Sequence, residues 1–414
     1  MQNNHIRFRA QTRQLPSVLR DNYVMASQKT IGSHQNLPVR PKRVVIKLGT
    51  NLLTGGNDAL DLDTIGAIFQ QVAAVKATGI EVLIVSSGAV AAGRGPLSRT
   101  PGKDKLPLGT VAYRQALAAL GQPQLMMTFK RLFAESDVEI AQALISRGDL
   151  QSRARYLNVR NTLEALLSIG AVPILNENDV VAVEELAGEA YGDNDRLSAM
   201  VANAVDADLL ILLGDMDGLY TTDPHIDPTA ELISTVTEIN DDIERAARGP
   251  HDNRGSGGMA SKLDAARLSM DSGIPMVIAS GHVAGVVESI CDGEKVGTRF
   301  EPGVSRRESR KRWILTGRSE HRGSVAVDDG AANAIRNRGN SLLPVGIVAV
   351  VGPFDRGDII EVTEIDGTTI GWGLTSYPSS EVELIKGKNS KVLPKLLGHY
   401  YGDEVIHRNN MALP

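Results

Sequence analysis

The sequence has a single cysteine and no long apolar run. Cys291 is the only cysteine in 414 residues, so no disulfide can form within the chain, and no second Cys or nearby His gives it metal-binding spacing. This cysteine usage is typical of a reducing compartment, and we expect a cytoplasmic protein. Because no apolar stretch approaches the roughly 18 residues of a membrane helix, the sequence predicts a soluble chain with no membrane partner.

The chain also lacks a strong excess of charge of one sign. Its formal net charge is -5, with 22% charged residues, so its composition gives no indication of a polyanionic partner. Two nucleotide-binding signatures are missing as well. No G-x-x-x-x-G-K-[ST] sequence occurs, and no G-x-G-x-x-G follows the first predicted strand. These absences argue against a P-loop enzyme and against a dinucleotide-binding oxidoreductase.

Residues 1–41 differ from the rest in composition. They contain one acidic residue, Asp21, and little apolar periodicity. Their basic residues are Arg7, Arg9, Arg13, Arg20, Lys29 and Arg40. We expect a disordered basic extension, with a targeting segment or an internal start at Met25 as alternatives.

After this extension, strand-like apolar runs alternate with amphipathic segments. RVVIKL (43–48) reads as a buried strand. Apolar residues then recur at helical spacing from Leu62 to Val75, and Gly79 follows as a typical helix terminator. Further strand-like runs are EVLIVSSGA, VEIAQALIS, AVPILNEND, ADLLILLGD and IPMVIAS. The alternation predicts an α/β three-layer sandwich with a mainly parallel central sheet, over residues 42–304.

A basic connector, SRRESRKRW (305–313), precedes a segment of different character. Short strands, Gly-Pro turns and one small helix near AANAI predict a compact β-barrel-like domain over residues 311–414. Residues 306–414 carry 15 Lys and Arg against 13 Asp and Glu. This balance is too small for the basic stripe of an RNA-binding surface, so RNA is the less favoured partner.

Candidate functional residues lie where the predicted strands end, because ligands of open parallel sheets bind at the carboxyl ends of the strands. Lys47 lies one residue before the end of the first strand. An unpaired buried lysine would cost several kcal/mol, so we expect either an edge lysine reaching solvent or, preferably, a cation directed at an anionic ligand. We expect amides freed by Gly49 to lie beside it. Ser86-Ser87-Gly88 closes the second strand and reads equally as a helix cap or as an oxygen-binding turn.

Two acid-amide clusters, Asn176–Asp179 and Gly192–Asp195, begin sixteen residues apart. One cluster alone would indicate a turn, whereas two beside strand ends suggest a polar floor for a small polar substrate. A glycosidase would also need paired carboxylates, but the sequence gives no spacing between carboxylates in support. Gly214-Asp215 ends another strand.

The loop RGSGGMASK (254–262) precedes a predicted helix. Taken alone it indicates a flexible connector as readily as a phosphate site. Lys262 at its end and Lys47 at the first strand change that balance. Phosphoryl transfer mainly requires positive charge around the migrating group and reactants held in line, and two lysines on either side would supply that charge.

Six segments, in this order across residues 43–300, strongly resemble the amino acid kinase family: VVIKLGTNLLTGG, VSSGAVAAG, ILNENDVV, GDNDRLSA, GDMDGLYTTDP and GSGGMASKLDAA. The segments RKRW, DDGAANAI and SLLPVGI resemble a PUA domain. The resemblance implies ATP-dependent phosphorylation of the γ-carboxylate of L-glutamate, the first step of proline biosynthesis. Acetylglutamate, aspartate, nucleotide or carbamate kinases and an RNA-binding protein are the alternatives.

The same resemblance implies roles for matching residues. Lys47 and Lys262 would stabilise the transferring phosphoryl group, and Asp195 would orient them. Ser87, Asp179 and Asn194 would bind glutamate. The implied ATP-binding residues are Lys47, Gly214, Asp215, Ser256, Gly257, Gly258, Met259, Ala260, Ser261 and Lys262. Mg²⁺ would bridge phosphate oxygens with no protein ligand assigned, and no general base is needed because the attacking carboxylate is already ionised.

The resemblance also implies partners. These are ATP and L-glutamate, proline as a feedback inhibitor, a second or further copies of the chain in a dimer or tetramer, and a glutamyl phosphate reductase that takes up the labile product. One position departs from the family pattern, which usually has Thr-Asp where this chain has Gly214-Asp215. The missing hydroxyl puts ATP affinity in doubt.

Overall fold

A computed structural model describes residues 40–57, 59–105, 107–182, 194–224, 226–248, 258–316 and 323–413. The predicted N-terminal extension, apart from its last two residues, lies outside these ranges. No helix within them has the length and hydropathy of a membrane span.

The larger sheet is mainly parallel, as predicted. Its strands are β1 (Arg43–Leu48), β2 (Glu81–Val85), β3 (Ile140–Ile145), β4 (Val172–Glu177), β5 (Leu209–Gly214), β6 (Thr235–Val236), β7 (Met276–Ser280) and β8 (Thr298–Phe300). They lie in the order β3-β4-β2-β1-β5-β7-β8-β6. The β7–β8 pair is antiparallel and the other pairs are parallel. β1 therefore occupies a central position, with β2 on one side and β5 on the other.

Helices cover both faces of this sheet. They are α1 (Thr50–Thr54), α2 (Leu62–Ala77), α3 (Ala89–Ser98), α4 (Val111–Ala134), α5 (Arg147–Gln151), α6 (Arg153–Ser168), α7 (Asn194–Ala204), α8 (Asp241–Arg248), α9 (Met259–Asp271), α10 (Val286–Cys291) and α11 (Arg306–Thr316). Alternation along β1 places Val44 and Ile46 in one core with α2, α4 and α10, and Val45 in another with α6, α7 and α9. Two cores on one sheet make the predicted three-layer sandwich.

The first long helix begins and ends where its residues dictate. The Asp61 carboxylate accepts a hydrogen bond from the Thr64 amide at 3.1 Å, a typical N-terminal cap. Gly79 has a φ of 91°, a conformation that favours glycine and lets the chain leave the helix. Phe69 is buried as its spacing predicts. Leu62, however, is 42% exposed, because it lies in the first turn, where the helix has only begun to face the core.

The basic connector is largely helical, since α11 starts at Arg306. The reason is a reciprocal cap just before it. The Ser305 amide and hydroxyl donate to the Glu308 carboxylate at 2.9 and 2.7 Å, and the Glu308 amide donates back to the Ser305 hydroxyl at 3.3 Å. Because α11 (Arg306–Thr316) begins in the predicted gap between the domains and continues past residue 311, the domain limits of 42–304 and 311–414 stay predictions.

A separate, smaller sheet forms the C-terminal part. Its strands are β9 (Ser324–Val327), β10 (Ile347–Val351), β11 (Ile359–Glu364), β12 (Thr369–Leu374) and β13 (Met411–Ala412), in the order β10-β9-β11-β12-β13. The predicted helix near AANAI is α12 (Asp329–Arg338). Two short helices that the sequence analysis did not anticipate follow it, α13 (Ser379–Ile385) and α14 (Leu393–Leu397). These elements enclose their own core, which includes Val325, Ile360 and Tyr377.

Candidate active site

Five neighbouring strands, β4, β2, β1, β5 and β7, end at one edge of the larger sheet. The predicted site residues that the structure describes lie at this edge, on the strand ends or on the helices α7 and α9 that start beside them. The parallel arrangement is the cause, because parallel strands all present their carboxyl ends on the same side. Gly192, Asp193, Ser256 and Gly257 lie outside the described residues.

At the centre of the edge, two lysines share one carboxylate. Lys47 projects from β1 and forms an ion pair with Asp195 Oδ1 in the first turn of α7. Lys262, in the first turn of α9, places its Nζ 3.2 Å from Asp195 Oδ2. The Ser261 hydroxyl donates to the same oxygen at 3.1 Å. The three charged groups that the sequence singled out for phosphoryl transfer are thus in direct contact.

The ionisation of Asp195 follows from its surroundings. Its side chain is 0% exposed, and burial alone would raise the pKa of this carboxyl. The positive charges of Lys47 and Lys262 outweigh burial and hold the pKa of Asp195 below its ordinary value. The cluster therefore holds one buried negative charge between two positive charges at neutral pH.

Asn194, next to Asp195, joins the ends of β2 and β4. Its Nδ2 lies 2.7 Å from the Ser86 carbonyl oxygen, 3.2 Å from Ser87 Oγ and 3.0 Å from Asn176 Oδ1. The Asn176 amide in turn donates to Gln122 Oε1 at 2.8 Å. The Asn194 Oδ1 is buried and accepts no hydrogen bond within the part of the chain that the structure describes. This oxygen is available to a donor from a ligand.

The acidic members of the first acid-amide cluster differ in position. Asp179, a predicted substrate-binding residue, is half-buried just beyond β4. Glu177, a member of the predicted cluster with no role of its own assigned, is buried at the end of β4. Gln122 also went unselected, because it lies in the middle of α4 and reaches the edge only through tertiary packing.

The other half of the edge is formed by the ends of β5 and β7. The Gly281 amide donates to the Gly214 carbonyl at 2.9 Å, which joins the two strand ends. The Asp215 carboxylate is partly exposed, with His282 Nε2 3.5 Å from its Oδ1. His282 was missed, although its place just after the strand-like run IPMVIAS was a usable signal. A side chain at Gly214 would point toward the stem of Lys262, whose Cε lies 3.9 Å from a Cβ built there.

The backbone beside Lys47 differs from the expectation in one respect. The Gly49 amide is already engaged, since it donates to the Leu213 carbonyl at 3.0 Å. The helical hydrogen bonds of α1 begin with Leu53, which donates to Gly49 O at 3.1 Å. The amides without a partner inside the helix are therefore those of Thr50 to Leu52, one turn further on.

Comparison with known proteins agrees with this fold. The model of the amino acid kinase family matches residues 42–280, and the model of the PUA domain matches residues 323–397. The class is thus an amino acid kinase with a C-terminal PUA domain.

Individual relatives narrow the class. The chain is 46% identical to a glutamate 5-kinase of Dehalococcoides mccartyi strain CBDB1, over 90% of this chain and 98% of that protein. It is 46% identical to a glutamate 5-kinase of Herpetosiphon aurantiacus, over 89% and 98% of the two chains. It is 44% identical to a glutamate 5-kinase of Trichlorobacter lovleyi, over 90% and 96%. The chain belongs to the glutamate 5-kinase family.

Proposed function

We propose that this chain phosphorylates the γ-carboxylate of L-glutamate with ATP and forms L-glutamyl 5-phosphate, the first step of proline biosynthesis. The contact of Lys47 and Lys262 with the single carboxylate of Asp195 is the observation that carries the proposal. In this contact two cations meet one buried carboxylate. A phosphoryl group in transfer spreads negative charge over its oxygens and is stabilised by cations held beside it.

The reaction needs few protein groups. An oxygen of the γ-carboxylate attacks the γ-phosphorus of ATP, a new P–O bond forms, and the bond from that phosphorus to the oxygen bridging to the β-phosphate breaks, so that ADP leaves. The attacking carboxylate is ionised at neutral pH and loses no proton. Lys47 and Lys262 would stabilise the equatorial oxygens, while Asp195 holds the two ammonium groups in position.

We place glutamate on the β2–β4 side of Lys47. There the buried Asn194 Oδ1 can accept from the substrate ammonium, and the Ser87 hydroxyl can donate to a carboxylate. Asp179 would add a negative charge for the ammonium group. Such a set of donors and acceptors suits a zwitterion with a second carboxylate.

We place ATP on the β5–β7 side. Gly214 and Asp215 end β5 there, and the first turn of α9 faces the same edge. The first helical hydrogen bond runs from the Lys262 amide to Gly258 O at 3.3 Å, so the amides of Met259 and Ala260 precede it and can face an anion. The described residues contain no group of three or more His, Cys, Asp or Glu side chains able to hold a metal ion. Mg²⁺ therefore belongs to the proposal as an ion held by the phosphates of ATP, and none of the steps above depends on it.

The proposal includes three partners that rest on the family resemblance alone. These are proline as an inhibitor, further copies of the chain in a dimer or tetramer, and a glutamyl phosphate reductase as the acceptor of the product. RNA is not among them, in view of the small charge balance of the C-terminal domain.

The test is ADP release from the full chain with a panel of acceptors, namely glutamate, N-acetylglutamate, aspartate and UMP, each with and without proline. We expect turnover with glutamate at least ten times faster than with the other three. Turnover confined to UMP or to N-acetylglutamate would overturn the substrate assignment. Indifference to proline would remove the inhibitor but leave the reaction in place.

A further inference from the structure

A cleft of about 1090 Å³ lies between the larger sheet and the C-terminal domain, and we call it the interdomain cleft. On one side it is lined by residues at the amino ends of β1, β2 and β5, which is the edge opposite to Lys47. On the other side it is lined by the first turns of α11, the end of α12 and residues 408–413. Its volume is slightly above the range of about 300–1,000 Å³ that is typical of small-molecule sites.

The carboxylates that line the interdomain cleft are all engaged with neighbouring groups. Glu81 lies 2.8 Å from Arg43 Nε, and Asp208 lies 2.6 Å from an Arg306 guanidinium nitrogen. Asp206 lies 2.6 Å from a nitrogen of Arg160. Glu308 accepts the hydrogen bonds of the Ser305 cap. All four carboxylates are thus engaged, three of them by an arginine.

Three cations of the same cleft have no such partner. Lys42 precedes β1, Lys311 lies in α11, and Arg408 lies just before β13. None of the three side chains forms an ion pair or a hydrogen bond with another described residue. Since they come from three separate elements and line one cavity, their charges converge on it, and the cleft carries an excess of positive charge.

The lining also has an apolar part. Met411 and Leu413 are half-buried and line the cleft beside Ala412. A cavity that combines apolar side chains with a few polar groups is typical of sites for organic ligands. A bare inorganic ion would leave this apolar surface in water.

We propose that the interdomain cleft binds a small organic anion with at least two negative charges, carried as phosphate or carboxylate groups. Lys42, Lys311 and Arg408 would hold the charged groups, and Met411 and Leu413 would contact the organic part. The recess favours a small molecule over RNA, because a nucleic-acid surface presents its basic residues as an extended stripe. This inference does not depend on the glutamate kinase assignment.

The test uses inorganic pyrophosphate as the probe, because it carries the charges alone. Binding to the full chain is measured by calorimetry with ADP and glutamate at saturation, so that the strand-end site is occupied. We expect one further site in the native chain. The double variant Lys311→Ala/Arg408→Ala should bind pyrophosphate at least about tenfold more weakly, because it removes two of the three cations proposed to hold the charged groups.

A matched control is Lys388→Ala/Lys395→Ala, which removes the same charge from exposed lysines of the same domain, outside the cleft. It should bind pyrophosphate within about twofold of the native chain. Equal weakening by both double variants, or no further site in the native chain, would overturn the proposal. If the first double variant does not fold, Lys42→Ala gives the same test from an exposed position.

A single-stranded RNA of about 20 nucleotides serves as the competing ligand. We expect it not to displace pyrophosphate. Tighter binding of the RNA than of pyrophosphate, lost in Lys311→Ala/Arg408→Ala and weakened by salt, would replace the small-molecule proposal by an RNA surface.

Discussion

The two ends of α7 carry charged clusters of opposite design. At its amino end, Asp195 is shared by Lys47 and Lys262, so two cations meet one anion. At its carboxyl end, the turn 205–208 that leads into β5 is surrounded by three arginines, each of which has a carboxylate of its own. In the first cluster two cations share one carboxylate, whereas each arginine of the second pairs with a carboxylate of its own.

The second cluster ties the end of the helix to three parts of the chain. Arg160 donates to the Ala204 carbonyl at 2.9 Å, Arg43 donates to Val205 O, and Arg306 donates to Ala207 O at 2.9 Å. Cations are favourable there, because the carbonyls at a helix carboxyl end carry partial negative charge. Asp206 in the same turn has a φ of 54°, in the left-handed region that few residues other than glycine adopt.

The two clusters are suited to different tasks. The cluster at Asp195 is suited to binding a ligand, whereas the cluster around the turn 205–208 is suited to holding parts of the fold together. A buried cluster in which every charge is paired stabilises its own geometry and has little to offer a ligand. A buried cluster in which two cations meet one carboxylate is suited to binding an anion. One helix thus runs from the proposed anion site to a cluster that holds parts of the fold together, and each end can be changed separately.

The largest effect on stability is expected from removing an arginine of the cluster around the turn 205–208. The Arg160 side chain is 6% exposed and lies 2.6 Å from Asp206 Oδ2. Arg160→Ala leaves that carboxylate without its main partner, and we expect the free energy of unfolding to fall by about 3–5 kcal/mol. Urea denaturation measures the change.

The control for this variant is Arg155→Ala, in the same helix. Arg155 pairs with Asp149 at 3.2 Å, but its side chain is 67% exposed, so the loss should be about 0–1 kcal/mol. If both variants lose the same stability, burial does not distinguish the two ion pairs, and the cluster around the turn 205–208 does not hold the fold together as inferred.

The next largest effect, on catalysis, is expected at the amino end of α7. Lys47→Ala and Lys262→Ala should each lower kcat by about 10²–10³, because each removes a charge aimed at the phosphoryl group. The KM for glutamate should change far less, since the lysines would act on the transition state. Steady-state kinetics of ADP release measures both quantities.

Lys130→Ala is the matched control for these kinetics, because Lys130 forms an exposed ion pair with Glu139 at 3.3 Å, away from the strand ends. Its kcat should stay within twofold of the native value. A variant of either site lysine that keeps native turnover would contradict the two-lysine mechanism.

A smaller loss of stability is expected when acid protonates His407 and so adds a positive charge beside the cluster around the turn 205–208. Burial, followed by the positive charge of Arg160, lowers the pKa of His407 to about 4 from an ordinary value of 6.5. The native ring is therefore neutral, and its Nδ1 accepts from the Asn409 amide at 3.1 Å. The unfolded chain binds the proton below pH 6.5 while the native chain does not, so stability is complete above that pH and falls as the pH drops toward 4.

We expect this histidine to account for roughly 1–2 kcal/mol of the loss between pH 7 and pH 4, once its partial exposure is considered. Urea midpoints of the native chain and of His407→Gln across this range measure its share. The variant should lose less stability on acidification. An identical pH dependence of the two proteins would show that His407 is not the group responsible.

The sequence predicts the residues at the amino end of α7 better than those around the turn 205–208 at its carboxyl end. Lys47 and Ser87 follow from where apolar runs stop, because parallel strands place their ends side by side without further information. The roles of Asp195, Asn194 and Lys262 come from the resemblance to the amino acid kinase family. The Asn194 side chain also donates to Asn176, in the predicted cluster at the end of β4. Asn176 donates in turn to Gln122, and this second contact depends on how α4 packs, which no local pattern encodes.

The sequence gives no comparable indication of the cluster around the turn 205–208. Arg43, Arg160 and Arg306 are far apart in sequence, and arginines on helices and at strand starts are usually solvent-exposed. Only the folded chain shows that all three reach one turn. The helix α11 could have been anticipated, since Ser305 followed by Glu308 is a capping pattern, but its basic composition directed attention to a connector.

The smallest effect is expected from Gly214→Thr, which restores the family's usual residue beside the reactive cluster. The backbone at Gly214 needs no glycine, since its φ lies outside the left-handed region and a Cβ there meets only the Lys262 Cε at 3.9 Å. One added hydroxyl contact contributes about 0.5–1.5 kcal/mol, so the KM for ATP should fall two- to tenfold with kcat nearly constant. Gly281→Thr is the contrasting variant, because its Cβ would lie 2.4 Å from Leu52 Cδ2 and should destabilise the fold. An unchanged KM in a stable Gly214→Thr variant would mean that ATP does not contact the end of β5, and the nucleotide would have to be placed elsewhere along the edge.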